Sequence, residues 1–492
     1  LELLVATATL DRIWSPYQEA IFSWAEKGQG SAVIEAAAGA AKSTTIIEVA
    51  KRLPSDDSIL FVAFNKRIAD DLKRKLPAYI CAMTLNALGF RAWRSHVGKN
   101  VEVDSYKVTA LIKQMSDDSS SDFRSGVKKL VDLAKLMGIV PNGIDAAGLV
   151  DDDTETWRWL IDEYDIFFGP NEKKDWAIAL ARRVLAENIR LGSQKIDFND
   201  QLYLPVIFGA EFTKYDWVFA DEAQDISNLQ LEMLRRSLAK NGRFVGVGDS
   251  AQAIYGWRGA SRDAIPNLGR TFDAQKFPLS ISYRCPRSVV ALARKYSQKI
   301  EPWEKAADGK VEELESWVPS LFGPTDVILC RNNAPLVAMA FKLIRAGKPC
   351  KVLGRDIGTG LVSLVKRMRA ISLDDLKAKL DAHVDRERKR LVDEPEKIVS
   401  LLDRVDTIRI FVSEMPWGTS VEQLCSKIEG MFAEDGQEGM LLLSTIHKGK
   451  GMEWPRVFIL DQHLIGMREP EPNLYYVAVT RAMKELYFIN SK

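Results

Sequence analysis

Val33-Ile34-Glu35 runs into a loop of small residues, Ala36-Ala37-Ala38-Gly39-Ala40-Ala41. Lys42-Ser43-Thr44-Thr45 and the apolar-periodic Ile46-Ile47-Glu48-Val49-Ala50 follow directly. An apolar run, a small-residue turn and an amphipathic segment predict strand, loop and helix in immediate succession. Ile59–Ala63, Tyr215–Ala220 and Arg243–Gly248 are further apolar runs of strand length, the last two separated by the helix-length segment Leu229–Leu238. Strands that alternate with helices build a parallel sheet of the nucleotide-binding α/β type.

Spacing then divides the chain. The loop around Lys42 and the acidic run Asp221-Glu222-Ala223-Gln224-Asp225 are expected on neighbouring strands, yet about 180 positions separate them. Residues 96–194 are therefore expected to be an insertion, helical in pattern (Val127–Ala134 and Ala177–Leu185). It includes a low-complexity stretch, Ser116–Asp122, expected to be exposed and mobile. The second half repeats the plan. Val327–Cys330 and Val457–Leu460 read as buried strands, with a charged, helical-looking stretch between them. The expected organisation is a first core of residues 1–95 and 195–277 carrying the insertion 96–194. A second core of 278–356 and 437–492 carries a shorter insertion, 357–436. The run Arg386-Glu387-Arg388-Lys389-Arg390 is compatible with a solvated helix face or a DNA contact.

At 492 residues the chain exceeds a single hydrophobic core, with roughly 150 residues per domain. Its 46% hydrophobic and 27% charged residues are ordinary for a globular protein. A net charge of only +1 means that any nucleic-acid binding must come from a local groove. The five cysteines (Cys81, Cys285, Cys330, Cys350, Cys425) are scattered and never spaced CxxC, and the four histidines are dispersed. Neither a disulfide framework nor a zinc site is indicated, and a cytoplasmic location is expected, nucleoid-associated in a bacterium or phage. Leu1–Val5 lacks the basic and apolar regions of a signal peptide. No run reaches the ~18 apolar residues that span a bilayer, so no membrane partner is expected.

Two motifs carry chemistry directly. After the small-residue loop, backbone N–H groups and the helix N-terminus suit phosphates, with Lys42 reaching the β/γ-phosphates of ATP and the Ser43 hydroxyl binding Mg²⁺. Asp221 and Glu222 end a buried strand. There the first carboxylate suits Mg²⁺ beside a triphosphate and the second suits polarising the attacking water. Alone, the acidic run is equally compatible with a capped strand-to-helix turn.

From Gly248 the chain reads Gly248-Asp249-Ser250-Ala251-Gln252-Ala253-Ile254-Tyr255-Gly256-Trp257-Arg258-Gly259-Ala260. Here it resembles the UvrD/Rep/PcrA family of superfamily 1A DNA helicases, nearest its compact phage-type and F-box-type members. The resemblance is collinear over nearly the whole chain and weakest in the two insertions. Gln18 resembles the family's adenine-reading glutamine. Phe64-Asn65-Lys66 resembles motif Ia, and Thr84-Leu85-Asn86-Ala87-Leu88 the TxH motif with Asn in place of His. Asp197-Phe198-Asn199-Asp200 is similar to the acidic-aromatic segment before motif II, and Ser282-Tyr283-Arg284 to NYR. Thr445–Trp454 is similar to motif V and Tyr476–Ala482 to motif VI.

The resemblance implies two RecA-like parallel-sheet cores, each interrupted by a mainly helical insertion. It also implies a nucleotide site of Gln18, Gly39, Ala41, Lys42, Ser43, Thr44, Tyr283 and Glu453. Lys42, Asp221, Glu222, Gln252, Arg284 and Arg481 would act at the γ-phosphate, with Mg²⁺ on Ser43 and Asp221. The guanidinium groups would neutralise developing charge, and Tyr283 would stack on adenine. Tyr255 and Trp257 would stack on bases, with Arg258 nearby. Phe64, Thr84, Asn86, Arg331, Asn332, Thr445 and His447 complete the expected DNA track, His447 being equally a structural or coupling residue.

The phosphate loop departs from the family's AGxGxGKT, with alanine at 37 and 41 where glycine is usual. Serine at 43 is harmless. If Ala41 has positive φ, its Cβ adds roughly 1–2 kcal/mol of strain and crowds the ligand, so weakened nucleotide binding is expected. Phe64 lies one place nearer the Asn-Lys pair than is usual.

The expected activity is ATP-driven 3′→5′ movement on single-stranded DNA with separation of duplex at single-strand/duplex junctions. A translocase that strips proteins without unwinding, and an ATPase-impaired DNA-binding subunit, are the alternatives.

Overall fold

The computed structural model describes residues 13–63, 66–98, 100–118, 120–164, 166, 168, 174–254, 264–390, 395–433, 440–466 and 472–491. Contacts divide the chain into two units. The first runs to Ala36 and resumes over Ala41–Ser280, and the second takes Ala37–Ala40 and the chain from Ile281.

Among its described residues the first unit contains a six-stranded sheet in the order Cys81–Thr84, Ile59–Ala63, Tyr215–Ala220, Leu238–Gly248, Ala32–Ala36, Gln275–Leu279. Every pairing is parallel. Burial on both faces demands nearly continuous apolar strands. Ile59–Ala63 is buried throughout, and Phe61 lies in register with Phe219, their rings stacked at 4.5 Å. Because the strands are parallel, the helix after Ala36 and the segments after Thr84, Ala220 and Gly248 all emerge at one side of the sheet.

Between Thr84 and Tyr215 the chain is mainly helical, with Leu85–Val97, Lys107–Met115, Ser121–Met137, Thr154–Glu163, Lys174–Arg190 and Asp200–Ile207. The apolar core of the sheet continues into these helices through Phe123, Val127, Trp157 and Leu185. The described residues from Ser116 to Ser120 form a loop, as expected, with Asp117 and Ser120 exposed, but the loop is shorter than expected because a helix begins at Ser121. Ser116 is buried, and Ser120 caps the helix Ser121–Met137 by accepting a hydrogen bond from the Phe123 amide. Polar side chains that bond the backbone locally start helices as readily as they populate loops.

A charged cluster lies inside this region. The Lys107 ammonium donates to the Asp200 carboxylate and to the Asn188 carbonyl, both at 2.8 Å. The Lys135 ammonium reaches Asp197 at 2.6 Å and Asp200 at 2.8 Å, and all four ionisable side chains are buried. Burial pushes the Asp200 carboxyl up, but the two lysine charges outweigh it and hold it below its ordinary value. Burial likewise lowers Lys135, and the two carboxylates more than restore it.

The second unit's sheet runs Lys310–Glu313, Ala482–Ile489, Trp454–Leu460, Val327–Cys330, Leu441–Thr445, Cys350–Leu353, Phe432–Ala433. It too is wholly parallel among the described residues. Helices Arg355–Arg367, Leu373–Arg390, Pro395–Ser413 and Val421–Met431 intervene between two of its strands. They share one apolar cluster with the sheet, through Leu376, Leu380, Val405, Ile408, Phe411 and Ile428 beside Ile328 and Val352. The Asp403 carboxylate accepts from the Asn333 and Ala334 amides, capping helix Asn333–Arg345 from this insertion. A continuous core and a shared cap oppose movement of these helices as a separate body.

Both units are thus parallel-sheet α/β cores with helical insertions. All five cysteines are free thiols. No helix among the described residues is long and apolar enough to cross a membrane.

Candidate functional site

The helix Lys42–Arg52 begins at Ala41, which has φ 58° and ψ 38° and supplies no side-chain cap. Its first-turn amides are not taken by a capping side chain, an arrangement that suits an anion. Ala37 is not among the positive-φ residues, whereas Gly39 has φ 74°. The two alanine substitutions thus differ physically. The methyl group at 37 sits on ordinary backbone, and the one at 41 sits on left-handed backbone where an L side chain is strained by roughly 1–2 kcal/mol.

Strand Tyr215–Ala220 ends in Asp221-Glu222; it is not the expected immediate neighbour of the loop's strand Ala32–Ala36, because Leu238–Gly248 lies between them. The Ser43 hydroxyl donates to Asp221 Oδ2 at 2.6 Å, and Lys42 Nζ lies 3.9 Å from Glu222 Oε2. Glu222 is itself left-handed, with φ 51°. Such strain in a non-glycine residue persists where surrounding structure enforces it, and it clusters at functional sites. Burial and the neighbouring Glu222 charge raise the Asp221 carboxyl above its ordinary value, opposed by Lys42 and the Ser43 hydroxyl. A solvent-accessible hydroxyl paired with a partly buried carboxylate, both hard oxygens, fits Mg²⁺, which takes one or two protein ligands and completes its shell with phosphate and water. No group of three or more His, Cys, Asp or Glu converges as a metal site among the described residues.

Two residues that motif reading left without a role join this site to the next strand. Gln224 donates from Nε2 to Glu222 Oε2 at 2.6 Å, and its Oε1 accepts from the Asp249 amide at 3.0 Å. Asp249 Oδ2 in turn accepts from Gln252 Nε2 at 2.7 Å. Burial raises the Asp249 carboxyl, opposed by the Lys42 charge and the Gln252 bond. A hydrogen-bonded chain thus links Glu222 to Gln252. Only packing of adjacent strand ends produces it, although both residues lie inside recognisable motifs.

Gln18 caps its own helix with Ser15, and its Nε2 donates to Thr45 Oγ1 at 3.0 Å. It is buried at the flank of the phosphate-loop helix, with its amide engaged at both ends. Thr44 lies in the first turn of that helix.

On the expected DNA track, Thr84 ends the edge strand and caps helix Leu85–Val97 by accepting from the Ala87 amide. Asn86 Nδ2 donates to the Phe198 carbonyl at 2.9 Å, bringing Phe198 to the same place. Phe198 is 63% exposed between the buried Asp197 and Asp200, an aromatic ring offered to solvent from a rigid base. Its exposure was not readable from the acidic-aromatic pattern. Phe64, Tyr255, Trp257 and Arg258 lie outside the described residues.

In the second unit, Cys330 and Thr445 are in register on adjacent strands, so Arg331 and Asn332 leave the sheet beside Ile446 and His447. Asn332 precedes helix Asn333–Arg345 without a side-chain cap bond. Thr445 is buried, and its hydroxyl accepts from the Lys448 amide at 3.4 Å, which organises the turn that carries His447. Arg284 forms an ion pair with Glu453, uniting two residues named for the nucleotide. Arg481 is buried, its guanidinium donating to the Val477 and Met452 carbonyls at 2.9 and 3.2 Å. Tyr283 is 37% exposed and packs against Trp303, ring centroids 5.9 Å apart. Trp303 carried no signal in any motif.

Residues 17–273 match the UvrD/REP helicase N-terminal domain, and residues 440–489 match the UvrD-like helicase C-terminal domain. The F-box DNA helicase protein 1 of Schizosaccharomyces pombe is 24% identical over 92% of this chain and 55% of its own length. F-box DNA helicase 1 of Gallus gallus is 24% identical over 95% of this chain and 48% of its own. DNA helicase II of Escherichia coli is 26% identical over 28% of this chain and 22% of its own. The chain spans about half the length of the two F-box relatives. With the N-terminal match covering more than half of its residues, the chain belongs to the UvrD/REP helicase family.

Proposed function

We propose that this chain is an ATP-driven motor that moves 3′→5′ on single-stranded DNA and separates duplex at single-strand/duplex junctions. The observation that carries the reading is the meeting of Ser43 with Asp221 and of Lys42 with Glu222 at the C-terminal side of one parallel sheet. Family membership and the names of the relatives support the choice of DNA.

In this reading Lys42 and the first-turn amides of its helix hold the phosphates, Ser43 and Asp221 hold Mg²⁺, and Glu222 takes the proton of the attacking water. Bound Mg²⁺ would supply charge neutralisation on the phosphates. Gln252 senses the γ-phosphate, and Gln224 with Asp249 relays its position to Glu222. Arg284 and Arg481 are assigned to γ-phosphate charge by the match of their motifs. Thr84, Asn86, Phe198, Arg331, Asn332 and His447 are assigned to the DNA track, together with Phe64, Tyr255, Trp257 and Arg258.

DNA-stimulated ATP hydrolysis by the purified chain tests the reading, with strand displacement and translocation measured side by side. Hydrolysis and translocation without displacement would select a protein-stripping translocase instead. DNA binding without hydrolysis would select an ATPase-impaired subunit, a reading favoured specifically by the left-handed Ala41.

Ala41→Gly tests that alternative. Removing the left-handed strain returns roughly 1–2 kcal/mol, from which glycine's extra backbone freedom takes back roughly 0.5–1. Thermal unfolding of the first unit should therefore rise by a few degrees at most. Clearing the methyl from the phosphate cradle should tighten ATP binding by up to about tenfold, equivalent to ~1.4 kcal/mol. Equal ATP affinity and equal turnover in the two proteins would show that Ala41 does not impair the loop.

Tyr283 and Trp303 together offer an aromatic face for a nucleobase. Aromatic contacts of this kind contribute ~0.5–1.5 kcal/mol, so Trp303→Ala should raise the KM for ATP about two- to tenfold with little change in kcat. An unchanged KM would remove Trp303 from the site.

A further inference from the structure

Helix Leu85–Val97 starts at Thr84, the end of the sheet's edge strand. Along its outer side lies an open cavity of about 630 Å³ whose lining includes Phe90, Arg91, Arg94, Ser95 and Asn100. Among the described residues none that lines it is acidic. Asn86, Phe90 and Arg94 follow one another at intervals of four residues, and Ala87, Arg91 and Ser95 form the parallel row. Both rows lead from the Asn86–Phe198 contact directly into the cavity. At 1.5 Å per residue, Asn86 and Arg94 are ~12 Å apart along the helix.

The two guanidinium groups are held in place. Arg94 donates to Asn100 Oδ1 at 2.6 Å and lies 5.7 Å from the centre of the Phe90 ring. The Arg91 guanidinium lies near the Tyr215 hydroxyl, where it opposes the upward push of burial on that group. Neither arginine forms an ion pair among the described residues, and both are exposed. Positioned arginines without carboxylate partners are suited to phosphodiesters, which they bind through charge-assisted hydrogen bonds.

We propose that this groove is an extension of the DNA track. The backbone of a single strand leaving the sheet's edge past Thr84 and Asn86 continues over Arg91 and Arg94, with Phe90 offering a ring face. The proposal rests on the reading of the chain as a single-stranded DNA motor. It also gives the exposed side of a core helix a role in setting the length of strand bound.

Fluorescence anisotropy with labelled oligothymidylates of about 8 to 30 nucleotides, repeated over a range of salt concentrations, tests it. Arg91→Ala/Arg94→Ala should bind the shortest oligonucleotides like the unaltered chain. It should bind long ones about tenfold more weakly, with the logarithmic salt slope reduced by about 1.4, or 0.7 for each lost single-strand phosphate contact. Arg91→Lys/Arg94→Lys keeps both charges and should retain the salt slope. Both arginines are exposed, so circular dichroism of the double alanine variant should match that of the unaltered chain. Length dependence and salt slope unmoved by the alanine pair would overturn the groove while leaving the DNA reading intact. Failure of the unaltered chain to bind any oligonucleotide would overturn both.

Discussion

Glu222→Gln is expected to lower DNA-stimulated ATP hydrolysis by two to four orders of magnitude, the range that a positioned general base contributes. Nucleotide binding should be retained or strengthened. Glu222 lies 3.9 Å from the Lys42 ammonium, and a neutral amide there leaves more of that positive charge for the phosphates. The substitution should also preserve the local fold. The carbonyl of the new side chain can still accept the bond that Gln224 now donates to Glu222, and the left-handed backbone is unchanged in its demands. Single-turnover hydrolysis beside equilibrium binding of a fluorescent ATP analogue separates the two effects. Hydrolysis within tenfold of the unaltered chain would remove Glu222 from the role of base. Because Ala41 limits the loop in this reading, the comparison is cleanest when repeated with Ala41→Gly in both proteins.

The second large effect lies away from the nucleotide. Lys135→Met should destabilise the first unit by about 3–5 kcal/mol, the usual consequence of breaking a buried ion pair and leaving its partner uncompensated. Lys135 lies between Asp197 and Asp200, and without it Lys107 alone must balance two buried carboxylates. Helices Lys107–Met115, Ser121–Met137 and Lys174–Arg190 are joined through this cluster to the segment that presents Phe198. Loss of the cation should therefore loosen the insertion and weaken DNA binding together. Adding Asp197→Asn to Lys135→Met should recover part of the loss, since it removes one of the unbalanced charges. Urea unfolding followed by the fluorescence of Trp157, Trp176 and their neighbours checks this. A change below about 1 kcal/mol would mean that water or relaxation compensates the carboxylates.

The parallel sheets were legible because their strands are buried on both faces. Ile59–Ala63 and Val327–Cys330 stand out as uninterrupted apolar runs and Tyr215–Ala220 as one broken only by Asp216, and the structure has strands with those bounds. Strands with weaker contrast were missed. Lys310–Glu313 is an exposed edge, and Ala482–Ile489 is interrupted by Lys484 and Glu485. The serine- and aspartate-rich stretch after Met115 is a loop with Asp117 and Ser120 exposed, but composition, which reports solvent preference, did not show where that loop ends. Its outcome was decided by local bonds, with Ser120 capping a helix and Ser116 turned inward.

For the site, motif order brought Lys42, Ser43, Asp221 and Glu222 to attention, but it contained no distances. That Ser43 reaches Asp221 follows from two parallel strands whose C-terminal ends share one side of a sheet. Gln224 and Asp249 became visible only when those ends were placed side by side. Trp303 and the Arg91–Arg94 groove belong to no motif. Trp303 is defined by the ring it touches, and the two arginines by having no carboxylate partner among the described residues.

The sequence by itself determined the fold class and the family, because both are written in local signals: apolar runs, small-residue turns and short motifs in a fixed order. It also raised the question of Ala41, since the missing glycine is visible in one dimension. Only the tertiary structure decided that this alanine has left-handed backbone while Ala37 does not, that Glu222 shares that strain, and that two lysines and two aspartates meet in the interior. The physical reason is the same in each case. Backbone angle, burial and charge pairing are set by neighbours brought together through folding, often from tens to hundreds of residues away.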